Sequence, residues 1–76
     1  MDVRQRVEQI LTILFRKEIQ DLDNFSMESE PLWDSMKHIE VIMTLEEELG
    51  ISFPPEQIPL LTSASEIIAR VKELGA

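Results

Sequence analysis

The sequence predicts an all-α protein, a small four-helix bundle of three main helices and one short helix, forming a single domain over residues 1–76. Three observations carry that expectation. Apolar residues recur at spacings of three and four, the period of an amphipathic helix. Residues suited to starting or stopping a helix (Asp34, Gly50, Ser63, Gly75) bracket the periodic segments. With 76 residues and no cysteine, one thin core burying roughly 60% of the unfolded surface must be held by helix packing alone.

Val3, Val7, Ile10, Leu11 and Leu14 define a first helix expected to run to about Ile19. From Asp21 to Trp33 the period fails and Asp, Asn, Ser and Pro accumulate. This is a long loop, with Leu22, Phe25, Met27, Leu32 and Trp33 expected to pin it to the core. Asp34 or Ser35 then serves as the N-cap of a second helix through Leu49, stopped by Gly50, which suits the left-handed turn after a helix. Residues 51–55 are extended, because prolines disfavour helix before them and remove amide donors. A short helical turn is expected from Pro55 to Ile58. Ser63 with Glu66 fits a capping box opening a last helix to Leu74, with Ile67, Val71 and Leu74 facing inward. A right-angled arrangement and an up-down bundle both satisfy this pattern.

Composition narrows the function. Without cysteine there is no disulfide framework or thiolate zinc site, and a single histidine argues against a His-based one. A core this small leaves no room for a deep catalytic cleft, so an enzyme is not expected. The formal charge of −8 opposes a phosphate backbone, so nucleic acid is not an expected partner. No segment approaches the roughly 18 apolar residues of a membrane span, and the start lacks the apolar run of a secretory signal. No membrane insertion and a cytoplasmic location are therefore expected. The charge is uneven: residues 18–56 hold eleven acids against Lys37 alone. Solubility is one reading of that excess, and a basic partner surface is another.

The second helix has two apolar stripes. At 100° per residue from Met36, residues Val41, Ile42, Leu45 and Leu49 fall between about 140° and 240°, which is the core face. Met36, Ile39 and Met43 fall on the opposite side, edged by Glu40, Glu46 and Glu47. Transient docking suits such a face, since methionine adapts to several partners and acids steer basic ones. The alternatives are that the loop of residues 21–33 folds over it, or that a second copy covers it.

Ser35 lies where loop becomes helix, near unpaired amides and the positive end of the helix dipole. It reads either as a plain N-cap or as the attachment point of a phosphate ester. Asp34, Ser35 and His38 do not compose a hydrolase triad. His38 points near about 200°, along the core stripe, and no glycine-rich turn supplies an oxyanion hole. Asp21 and Asp23 do not begin a calcium loop, because its sixth and twelfth positions would be Ser26 and Leu32.

The run from Trp33 to Phe53, with Asp34-Ser35-Met36, Ile39-Glu40-Val41 and Leu45-Glu46-Glu47-Glu48, closely resembles the acyl carrier proteins, in which an Asp-Ser-Leu motif opens the second helix. The resemblance covers essentially the whole chain. It implies that Ser35, with Asp34 as its motif neighbour, carries a 4′-phosphopantetheine arm whose terminal sulfur holds an acyl group as a thioester. It implies as partners a phosphopantetheinyl transferase and acyl-loading and acyl-accepting enzymes with basic docking surfaces. It matches Met36, Ile39, Glu40, Met43, Glu46 and Glu47 to the family's recognition helix. Met36 in place of Leu conserves volume. Leu32-Trp33 before the motif and Lys37-His38 after it depart from the fatty-acid carriers and point to a stand-alone carrier of a specialised pathway. An aminoacyl carrier, including the D-alanyl type, is the alternative load class; an unmodified interaction module of the same fold is the alternative from another class. A monomer is expected, since a carrier must visit several enzymes.

Overall fold

A computed structural model describes residues 2–75. Three α-helices, α1 (Val3–Phe15), α2 (Ser35–Leu49) and α3 (Ala64–Glu73), are joined by segments containing 3₁₀ turns at Leu22–Asn24 and Pro55–Leu60. The all-α fold follows the apolar periodicity, and the short fourth helix expected at Pro55–Ile58 is the longer of the two 3₁₀ turns. Among the described residues no helix is long and apolar enough to cross a membrane.

α1 starts with a reciprocal cap: Asp2 Oδ1 accepts the Gln5 N–H at 2.8 Å, and the Gln5 side chain accepts the Asp2 N–H. It ends at Phe15, a turn earlier than its period suggested. Arg16 takes a left-handed conformation (φ 55°, ψ 40°), and its N–H returns to the Thr12 carbonyl. Ile19 is still buried, but from the connection rather than from the helix.

α1 and α2 lie antiparallel, tied at both ends. Arg6 Nη2 donates to the Glu48 carbonyl at 3.0 Å, and Lys37 Nζ donates to the Leu14 carbonyl at 3.2 Å. Each cation thereby meets the carbonyl-rich end of the other helix, where the macrodipole favours positive charge. α3 packs on α1 and on the Leu22–Asn24 turn. Val7, Leu11, Val41, Leu45, Leu61, Ile67 and Val71 are wholly buried between them.

The long connection is a built element. Its backbone pairs with the chain before α3, the Met27 N–H donating to Thr62 and the Ala64 N–H to Phe25, both at 2.9 Å. Phe25 and Trp33 close on Phe15, with ring centroids 5.1 to 5.7 Å apart. Two expected anchors do not serve. Leu32 is exposed because Trp33 takes the inward position, while the Leu32 N–H donates to the buried Glu30 carboxylate. Leu74 is exposed because α3 ends at Glu73 and the chain turns off the apolar stripe.

Candidate functional site

Helix α2 opens with a division of labour between adjacent residues. Asp34, in an extended conformation, is the N-cap, and its Oδ1 accepts the Lys37 N–H at 2.8 Å. Ser35 is the first helical residue and is exposed, and its hydroxyl makes no hydrogen bond among the described residues. Of the two roles its position allowed, capping is thus taken by Asp34. A free hydroxyl remains at the positive end of a fifteen-residue helix. Such a group is chemically suited to carrying a phosphate ester, whose charge the unpaired amides and the helix dipole favour.

His38 is not available to that hydroxyl as a base. Its Nδ1 accepts the Trp33 indole N–H at 3.0 Å, so Nε2 carries the ring proton and donates to the Ile58 carbonyl at 2.9 Å. The ring is buried and stacks on Trp33. Its two bonds tie the residues just before Ser35 to α2 and α2 to the Pro55–Leu60 turn. Asp21 and Asp23 are likewise occupied, by Asn24 at 2.7 Å and Arg4 at 2.9 Å.

The second apolar stripe is open to solvent: Met36 is 82%, Ile39 60% and Met43 63% exposed. The loop of residues 21–33 does not fold over it: Leu22, Phe25 and Trp33 turn inward, and the exposed Leu32 reaches only the edge of the stripe beside Met36. The three glutamates at its edge differ. Glu47 is exposed and has no partner among the described residues, whereas Glu40 pairs with Lys37 at 2.7 Å. Glu46 is half-buried, its Oε2 accepting the Phe53 N–H at 2.8 Å. Its carboxylate fastens the extended segment to α2. A dent of about 270 Å³ beside the helix start is lined by Leu32, Asp34, Met36, Lys37 and Glu40.

Neither a scan of protein-family models nor a search of curated proteins returns a match to the chain.

Sequence reasoning did not find the ion pair of Lys17 with Glu30. Glu30 is 4% exposed; Lys17 bonds one of its oxygens and the Leu32 N–H donates to the other at 3.0 Å. The bond from Lys17, then that from Leu32, hold its carboxyl below the ordinary carboxylate range against the upward push of burial. Through Leu32 this pair fixes the strand of chain that delivers Trp33, Asp34 and Ser35. The loop holds four acids, Asp21, Asp23, Glu28 and Glu30, and no local signal in the sequence singles out Glu30.

Proposed function

We propose that the chain is an acyl carrier protein, with Ser35 as the attachment site of a 4′-phosphopantetheine arm and the exposed face of α2 as the surface its partner enzymes read. One observation carries the reading: Asp34 caps the helix and leaves the adjacent Ser35 hydroxyl exposed and unbonded at the helix start. The residues fit the group. Its phosphate would sit at the amino-terminal amides of α2, and the dent lined by Leu32, Asp34, Met36, Lys37 and Glu40 offers the arm a surface to lie against. When bound, the arm supplies the thiol that a cysteine-free chain lacks.

Met36, Ile39 and Met43 give partners an adaptable apolar contact, and Glu40 and Glu47 give the charge that orients basic surfaces. Glu46 acts mainly within the chain. The location expected is cytoplasmic, and the partners are a phosphopantetheinyl transferase and the enzymes that load and unload the arm.

Incubation of the apo protein with coenzyme A and a broad-specificity phosphopantetheinyl transferase tests the assignment by intact mass. Wild type is expected to gain one phosphopantetheinyl group and Ser35→Ala none. No gain by wild type, or equal gain by both, refutes it and leaves the unmodified interaction module.

A further inference from the structure

Both seams beside Ser35 are bridged by hydrogen bonds to backbone carbonyls. On the α1 side, Lys37 Nζ donates to the Leu14 carbonyl at 3.2 Å and lies 5.7 Å from the centroid of the Phe15 ring. On the side of the Pro55–Leu60 turn, His38 Nε2 donates to the Ile58 carbonyl at 2.9 Å while Nδ1 holds the Trp33 indole. Trp33, 2% exposed, fills the space against Phe15 and Phe25.

An alkyl chain tethered at Ser35 that entered by either route would break one of these bridges. At the His38 bridge the Ile58 carbonyl and the Nε2–H would both be left unpaired against hydrocarbon; at the Lys37 bridge the Leu14 carbonyl would be, while Lys37 keeps Glu40. A long alkyl chain kept outside remains in water at a cost that grows with every methylene. A short or polar group meets neither difficulty.

We infer, resting on the carrier reading above, that Lys37 and His38 bar the interior to the load, and that the group carried at Ser35 is a short or polar acyl or aminoacyl group. Sheltering of a long chain inside the bundle is not part of how this carrier works. His38 and Lys37 set the class of load by keeping closed the two routes nearest the arm.

The test uses a tether that needs no transferase, so failure of the carrier reading at native Ser35 is seen separately by mass. The chain has no cysteine, and Ser35→Cys gives a single thiol that can be alkylated with a decyl or a methyl group on identical spacers the length of the pantetheine arm. The two adducts are expected to share the Trp33 indole N–H resonance and the same Tm. His38→Ala removes the indole's own acceptor and so shifts the resonance in both adducts; with it added, the decyl adduct is expected to differ from the methyl adduct in that resonance and to have the higher Tm, because an opened seam admits the chain. A decyl adduct of Ser35→Cys that already shifts the indole and gains stability overturns the inference. So do decyl and methyl adducts that remain alike after His38→Ala. If loss of helicity shows that His38→Ala does not fold, Lys37→Met, which removes the other bridge, replaces it in the same comparison. A decyl-specific shift then supports the inference, and adducts that stay alike overturn it.

Discussion

Replacing Glu30 by Gln removes a charge from a place water scarcely reaches. A glutamine oxygen can keep the bond from the Leu32 N–H, so what disappears is the charge-assisted bond from Lys17. In a buried setting that bond is worth about 1.5–3 kcal/mol. The Lys17 side chain is 46% exposed, so water recovers part of its solvation, and a net loss of about 1–2 kcal/mol is expected. For a domain of this size that lowers Tm by about 5–15 °C.

The same substitution changes the response to acid. A carboxyl held below the unfolded value of about 4.3 binds its proton more readily in the unfolded chain. Its stabilisation is therefore complete above that value and is lost as pH falls through the folded one. Thermal melts by circular dichroism, stepped from neutral pH downwards, should show wild type and Glu30→Gln well separated near neutrality. Below about pH 4.3 the wild-type curve should fall towards that of the variant. Parallel curves across the whole range, or a variant as stable as wild type at neutral pH, refute the role given to this ion pair.

Further substitutions probe the elements around the site. Arg16→Gly relieves a side chain held at φ 55° and should raise stability by about 0.5–1 kcal/mol, seen as a higher denaturation midpoint. Asp34→Ala removes the cap on the Lys37 N–H and should cost about 0.5–2 kcal/mol in urea unfolding, whereas Asp34→Asn keeps most of it. On the proposed carrier function, Glu47→Lys should slow modification of Ser35 by a transferase with a basic docking surface about three- to ten-fold at low salt, with the difference shrinking as salt is added. Glu46→Lys should instead lower Tm, because it orphans the half-buried Phe53 N–H.

The helices were legible because their signals are local. The apolar stripes of α1, α2 and α3, the glycine after Leu49 and the serine before Ala64 each act within a turn or two of chain. The end of α1 was not legible, since nothing in Arg16 announces a left-handed residue; the loop's need to bring Ile19 and Leu22 to the core imposes it. The partners that Lys17, Lys37 and His38 find across the fold, Glu30, Leu14 and Ile58, were hidden for a related reason. Each bond joins elements whose meeting depends on the whole fold, and a charged or aromatic residue read alone does not say what it will face.

The acidic segment shows how far charge counting reaches. Of its eleven acids, Asp34 caps a helix and Glu46 holds the extended segment at Phe53, while Asp23, Glu30 and Glu40 face cations. Five of the eleven are therefore committed within the fold, and Glu47, exposed beside Met43, carries more of any outward attraction than its equal formal charge suggested. The order Asp34-Ser35 follows the same logic. An N-cap must stand outside the helix with its side chain folded over the amide three residues on, whereas the next residue already has helical dihedrals and directs its side chain away. With the two exchanged, the serine hydroxyl would be tied to a backbone amide and the carboxylate would occupy the outward position. In the observed order the anion satisfies the helix and the hydroxyl remains free to react.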